Sequence, residues 1–160
     1  MNRTRPVLLA AAFISIALLG VALYLQHGMD MLPCPLCVLQ RYAFAAVAII
    51  CLIAASLSPS GQRTGAGIAT LAALAGLATA GWHLWIKAHP NVSCGIDPLE
   101  TSLNTIPTAR LLPFLFQADG LCTTEYAPII GLSIPQWSLI WFFILAILLG
   151  SLALRRGASR

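Results

Sequence analysis

Long apolar stretches and short polar segments alternate along the chain. Apolar residues dominate four stretches, at about 7–25, 36–57, 65–86 and 135–154. Only the second stretch contains a charged side chain. A helix rises ~1.5 Å per residue, so about 20 residues cross the ~30 Å hydrocarbon layer of a bilayer. The pattern predicts an all-α membrane protein, an antiparallel four-helix transmembrane bundle that forms a single domain over residues 1–160.

The composition also favours a membrane protein. Of the 160 residues, 59% are hydrophobic and only 9% are charged, whereas soluble domains carry roughly 25% charged residues. The nine Lys and Arg residues are scattered and form no basic stripe with interleaved aromatic residues, which excludes a nucleic-acid-binding surface. The third stretch is rich in Gly, Ala and Thr, which let helices approach closely, so we expect a central packing helix there.

The first apolar stretch has a second interpretation. The sequence MNRTRP before it resembles the basic region of a secretory signal peptide. The apolar run is long, however, and no small-x-small cleavage site follows it. We therefore expect a retained membrane anchor.

The charged residues predict the orientation of the bundle. Six arginines fall in the two tails and in the connection between the second and third spans, which a four-span plan places on one side. The positive-inside rule makes that side cytoplasmic. All the acidic residues fall in the other two connections, about 26–35 and 87–134, which we assign to the periplasm. The six arginines are Arg3, Arg5, Arg63, Arg155, Arg156 and Arg160.

Four of the five cysteines fall on the predicted periplasmic side. Cys34 and Cys37 lie where the second span begins, and Cys94 and Cys122 lie in the long loop. An even number of thiols in an oxidising compartment predicts disulfides, and their pairing is left open at this point. Cys51 falls in the middle of the second span, where a thiol behaves as a small apolar group, so we expect it to serve packing.

The sequence Cys34-Pro35-Leu36-Cys37 has the C-x-x-C spacing of exchangeable disulfides. Pro35 suits the first position of a helix, which puts Cys37 in the first turn, where the helix dipole stabilises a thiolate. Arg41, one turn later on the same face, adds positive charge. A cation at the apolar boundary is typical of a functional site, and the alternative is an arginine that extends toward lipid headgroups.

The position of this thiol pair indicates its chemistry. A thiolate held at lipid depth can react with a molecule dissolved in the lipid, and a membrane quinone is the natural candidate. Thiols in the long loop can meanwhile meet a water-soluble protein. Four thiols therefore indicate a relay of electrons between the two phases.

The long loop contains an apolar segment, TARLLPFLFQADG at residues 108–120. We expect a short interfacial helix that lies on the bilayer surface. Alternatively, the segment packs on the outer ends of the helices as a plug. Either arrangement holds Cys94 and Cys122 close to the membrane plane.

Together these features resemble the bacterial disulfide bond formation protein B (DsbB) family of inner-membrane thiol:quinone oxidoreductases. The resemblance extends over nearly the whole chain. It depends on the four-span plan, on Cys34-Pro-Leu-Cys37 followed by Arg41, on Cys94 and Cys122, and on the IPQW motif that opens the fourth span. It implies an enzyme that reoxidises a periplasmic thioredoxin-like dithiol oxidase of the DsbA type, with both termini cytoplasmic. Ubiquinone or menaquinone is implied as the electron acceptor, and no metal or flavin is implied.

The resemblance also implies roles for individual residues. The active-site thiolate of the soluble partner attacks Cys94, whose partner within the loop is Cys122. Cys122 then attacks Cys34. This releases Cys37 as the thiolate that contacts the quinone, while Arg41 stabilises the negative charge.

His83 lies near the outer end of the third span, in the sequence GWHLW. It matches the region in which the family often has a polar residue beside the quinone. The alternative is a histidine that serves helix packing or lies at the membrane interface.

Three other functions are compatible with the cysteine pattern. The four outer cysteines could bind a structural zinc ion, although only one half of the set is a close C-x-x-C pair. The chain could instead be a membrane scaffold whose loops carry static disulfides. Finally, it could be a quinone and thiol enzyme of the vitamin K epoxide reductase type that runs in the reducing direction.

Overall fold

The computed structural model describes residues 4–89, 102–120, 122 and 124–154. Within these ranges, four helices are each long and apolar enough to cross a membrane. The predicted all-α membrane fold is therefore confirmed. The four helices are α1 (Thr4–Gly28), α2 (Pro35–Ala55), α3 (Pro59–Ala88) and, after two short helices described below, α6 (Ile134–Leu154).

The long helices form an antiparallel bundle. α1 packs on α2, α2 packs on α3, and α3 packs on α6. The connections at residues 29–34 and 56–58 are short, so α2 runs opposite to both α1 and α3. Gly67 faces Ala153 and Gly81 faces Leu139, so α3 and α6 also run in opposite directions. The limits of the spans within a bilayer and the assignment of the loops to the periplasm stay predictions.

Small residues let α3 occupy the centre of the bundle. A Cβ atom at Gly65 would collide with Ala54 of α2, and one at Gly76 would collide with the ring of Phe142 of α6. These two glycines therefore allow α3 to approach both neighbours closely. Cys51 is completely buried in the same core, which agrees with a packing role.

Helix α2 begins between the two cysteines of the C-x-x-C sequence, as predicted. Cys34 is the N-cap residue, with an extended backbone (φ −78°, ψ 165°), and Pro35 occupies the first turn. The backbone N–H of Cys37 donates to Cys34 Sγ at 3.3 Å. A thiol thus takes the place that Ser or Asp usually fills at a helix N-terminus.

The apolar segment of the long loop forms two short helices where the sequence predicted one. These are α4 (Pro107–Leu111) and α5 (Pro113–Phe116). The helical path breaks at Leu112, whose backbone has φ −128° and ψ 60°. Helical φ and ψ angles are disfavoured for a residue that precedes proline, because the proline ring crowds its backbone.

One side of this short helical segment packs on α2. The Tyr42 ring stacks on Phe116 with centroids 4.1 Å apart, and its hydroxyl lies 2.6 Å from Thr108 Oγ1. Leu111 is 78% exposed on the segment, and Phe114 is also exposed. The segment thus covers the end of α2, as in the plug alternative, and it also presents the apolar side chains that a position on the bilayer surface requires.

Backbone hydrogen bonds join the first connection to the long loop. The Pro33 carbonyl accepts from the N–H of Asp119 at 3.1 Å and from the N–H of Gly120 at 3.0 Å. The Tyr126 hydroxyl donates to the Leu32 carbonyl at 3.2 Å. We call these three bonds the loop clamp. They tie the two connections together close to a cysteine in each, because Pro33 directly precedes Cys34, and Gly120 and Tyr126 lie on either side of Cys122.

Candidate functional site

The two thiols of the C-x-x-C sequence lie side by side at the start of α2. Cys34 Sγ donates a hydrogen bond to Cys37 Sγ across 3.0 Å. Cys34 is buried and Cys37 is partly exposed. The proton therefore lies on the inner thiol, and the outer sulfur accepts it, which favours Cys37 as the nucleophile of the pair.

The loop clamp brings Cys122 to the same position. Cys122 is buried in one apolar cluster with Cys34 and with Ile86 of α3. Hydrogen bonds with the side chains of Cys122 and Cys37, together with burial, raise the pKa of the Cys34 thiol. Cys34 is thus kept in its protonated form when the pair is reduced.

His83 of α3 is buried beside the thiols and against Gln40 of α2. Its Nε2 lies 3.3 Å from the Cys122 carbonyl oxygen and 3.8 Å from Cys34 Sγ. Its Nδ1 lies 3.4 Å from Gln40 Nε2. A carbonyl can only accept, so Nε2 carries the proton and Nδ1 accepts from the Gln40 amide. Both ring nitrogens are therefore engaged, and the ring is held in one orientation.

Arg41 is buried, at 6% exposure, and reaches away from its own helix. Its Nη1 donates to Gln26 Oε1 at 2.6 Å and to the Leu115 carbonyl at 2.8 Å. Its Nη2 donates to the Ala22 carbonyl at 3.3 Å. The guanidinium thus lies between α1, α2 and α5 rather than extending to the surface. Within the described ranges, the atoms that accept these hydrogen bonds are neutral oxygens, so they do not cancel its positive charge.

These residues line a cavity of about 240 Å³. This volume lies just below the roughly 300–1,000 Å³ of most small-molecule sites, so the cavity suits a compact ring. Its walls are largely apolar and include Phe44 of α2 and Trp137 and Trp141 of α6. The predicted site residues that line it are Cys34, Cys37, Arg41, His83 and Cys122.

One predicted site residue cannot be assigned to this cavity. Cys94 lies outside the described residues. Its pairing with Cys122 therefore stays a prediction. The zinc alternative that used all four outer cysteines is likewise not tested by the described part of the chain.

Two glutamines of the site were missed by the sequence reasoning. Gln40 holds His83, and Gln26 holds Arg41. A signal for Gln40 was present, because an uncharged polar side chain within an apolar span usually hydrogen-bonds to another helix. Gln26 directly follows the first apolar stretch, where a polar residue is expected at the end of a span and so gives no signal of a site.

Comparisons with known proteins agree with the geometry. The family model described as "DsbB: Disulfide bond formation protein DsbB" matches residues 4–152. "Disulfide bond formation protein B" of Herminiimonas arsenicoxydans is 67% identical over 156 residues, which cover 98% of this chain and 99% of that protein. The protein of the same name from Ralstonia nicotianae is 46% identical, with 96% of each chain covered. "Disulfide bond formation protein B 1" of Pseudomonas syringae pv. syringae is 44% identical, with 97% of this chain and 92% of that protein covered.

Proposed function

Because the chain belongs to the disulfide bond formation protein DsbB family, we propose that it is a thiol:quinone oxidoreductase of the bacterial inner membrane. It takes electrons from a periplasmic dithiol oxidase of the DsbA type and delivers them to ubiquinone or menaquinone. Both termini are cytoplasmic in this proposal, and the redox cysteines face the periplasm.

One observation carries the proposal. The Cys34–Cys37 pair opens onto an apolar-walled cavity that Arg41 and His83 also line. An enzyme that passes electrons from a thiol to a lipid-soluble ring needs this combination of a nucleophilic sulfur, a positive charge and an apolar cavity wall. A static disulfide would need neither the cation nor the cavity.

The residues of the cavity fit a quinone headgroup. A guanidinium has five N–H donors, and three of its hydrogen bonds to protein are accounted for above. The donors that those bonds do not use would be free to meet a ring oxygen, and Trp137 and Trp141, which line the cavity, would hold the ring. When bound, a quinone supplies the oxidising power, since it takes up two electrons and two protons.

The cysteines exchange electrons with one another by thiol–disulfide exchange. The Cys122 thiolate attacks Cys34 of the Cys34–Cys37 disulfide. A Cys122–Cys34 bond forms, the Cys34–Cys37 bond breaks, and the electron pair leaves on Cys37. Cys94 then attacks Cys122, which restores the loop disulfide and leaves Cys34 and Cys37 reduced. The burial of Cys122 against Cys34 supports the first of these steps.

Quinol formation tests the proposal directly. Purified, fully reduced protein is mixed with a short-chain ubiquinone, and the ultraviolet absorbance of the quinone is followed. We expect about two quinols per chain, because each of the two reduced cysteine pairs of the relay supplies two electrons. Cys37→Ser should form none, and Cys51→Ser, which alters a core thiol only, should react normally.

Other results would favour the alternatives. A static scaffold yields no quinol even when all its thiols are reduced. An enzyme of the vitamin K epoxide reductase type that runs in the reducing direction would in addition reduce a quinone epoxide to the quinone and water, while its own dithiol becomes a disulfide.

Arg41→Ala is expected to raise the apparent KM for quinone by about tenfold or more, because a hydrogen bond to a charged group contributes roughly 1.5–3 kcal/mol. Quinone titrations at saturating dithiol measure this change. Gln26→Ala is the matched control, since it removes the Arg41 contact to α1 but leaves the charge in the cavity, and its KM should rise less. An unchanged KM and rate in Arg41→Ala would assign the arginine to structure alone.

A further inference from the structure

Three metal-ligating side chains converge in the cavity. Cys34 Sγ, Cys37 Sγ and one ring nitrogen of His83 all lie within 4.8 Å of one another. They come from the first turn of α2 and its cap and from the outer part of α3. Two helices thus present two sulfurs and an imidazole to one point, a donor set typical of zinc-class cations.

We propose that the reduced Cys34–Cys37 pair and His83 form a binding site for a thiophilic divalent cation of the zinc class, and that the bound cation blocks the redox cycle. The blocking step rests on the proposed function, whereas the binding step does not. The site differs from the four-cysteine alternative, because it includes His83 and needs neither Cys94 nor Cys122.

The distances require only small side-chain movements. Tetrahedral zinc has bonds of about 2.3 Å to sulfur and about 2.0–2.1 Å to nitrogen, which put two sulfur ligands about 3.8 Å apart and sulfur and nitrogen about 3.5 Å apart. The two sulfurs, at 3.0 Å, must separate, and the 3.8 Å between Cys34 Sγ and His83 Nε2 must shorten slightly. Rotation of the partly exposed Cys37 side chain supplies the first movement.

The surroundings of the three ligands also suit a metal. All three line the cavity, so a fourth coordination position stays open to it, as in zinc sites with three protein ligands. Gln40 lies against His83 Nδ1. With its amide oxygen turned toward the ring, Gln40 accepts the Nδ1 proton and leaves Nε2 for the cation, the arrangement usual for metal-bound histidine.

Binding and oxidation exclude each other. When the cation binds, the sulfur–hydrogen bond of Cys34 breaks and its proton is released, and two metal–sulfur bonds form without any transfer of electrons. The sulfur electron pairs that attack a disulfide or a quinone are then engaged with the metal. In the Cys34–Cys37 disulfide the two sulfurs are bonded to each other and are not thiolates, so only the reduced form binds the cation.

Cadmium is the probe, because its thiolate complexes have an ultraviolet charge-transfer band. The purified full-length protein is reduced, freed of reductant without oxygen, and titrated with Cd²⁺. We expect about one cadmium ion per chain and no band after the same protein has been oxidised by quinone. His83→Ala should weaken binding by at least about tenfold, and Cys51→Ala, which removes a thiol outside the cavity, should bind as the wild type does.

Inhibition is measured on the same samples. Zn²⁺ added before quinone should abolish quinol formation by the reduced protein, and a chelator should restore it. The binding proposal is overturned if reduced protein with reactive thiols shows no band, if oxidised protein binds equally, or if His83→Ala binds as tightly as the wild type. A band without inhibition overturns the blocking step. Absence of quinol formation in metal-free protein would instead count against the proposed function.

Discussion

Cys94→Ser is expected to abolish oxidation of the soluble dithiol partner while fully reduced protein still forms quinol. In the proposed relay only Cys94 meets the partner, and neither Cys34 nor Cys122 can replace it as the first point of attack. Cys34 and Cys122 are both buried, so an incoming protein cannot reach their sulfurs. The Cys34–Cys37 pair needs neither loop thiol to react with quinone.

Two assays separate these steps. The first follows oxidation of a reduced DsbA-type protein by catalytic amounts of enzyme, and its rate should fall to the uncatalysed level. The second mixes reduced enzyme with a short-chain ubiquinone. Cys122→Ser is added to Cys94→Ser in the second assay, because a lone Cys122 thiol could be trapped on Cys34. Partner oxidation at the wild-type rate by Cys94→Ser would show that electrons enter elsewhere.

Local sequence rules were sufficient to predict the four long helices and the place where α2 begins. Apolar stretches of about 20 residues predict spans because the bilayer thickness fixes their length. Pro35 predicts the beginning of α2 because proline is favoured where the helix has no N–H partner. The same kind of rule accounts for the break before Pro113, which could have been anticipated and was not.

The contacts that shape the site could not be predicted in this way. Gln40 meets His83 across 43 residues of sequence, and Arg41 meets Leu115 across 74. Each contact depends on how far α2 is rotated against its neighbours, which no single residue determines. The sequence therefore identified Arg41 and His83 as candidates, but not the glutamine and carbonyl groups that orient them.

The loop clamp is another feature that sequence pattern alone does not reveal. It consists of main-chain bonds from residues 119 and 120 to Pro33 and a tyrosine bond to Leu32. Cys34 directly follows Pro33, and Cys122 lies two residues after Gly120. Any change in the clamp is therefore transmitted over very short lengths of chain to Cys34 and Cys122, the two sulfurs that meet in the proposed relay.

Gly120→Ala is expected to slow quinone reduction by the soluble partner by at least about tenfold. A Cβ atom at this position would collide with the Leu32 carbonyl group, and the loop must move away. The bonds from Asp119 and Gly120 to Pro33 are then lost, at about 1 kcal/mol each. Cys122 no longer lies against Cys34, so the exchange between the two cysteine pairs becomes rate-limiting.

This effect differs from a general loss of structure in one measurable respect. Fully reduced Gly120→Ala should form its first quinol at the wild-type rate, because Cys37 and Arg41 belong to α2 and lie on the far side of the blocked step. Gly20→Ala is the control, since a Cβ atom there meets nothing within 4 Å, and it should be normal in both assays. Wild-type turnover with the partner would show that the clamp does not position Cys122, and failure of Gly120→Ala in both assays would show that it supports the whole site instead.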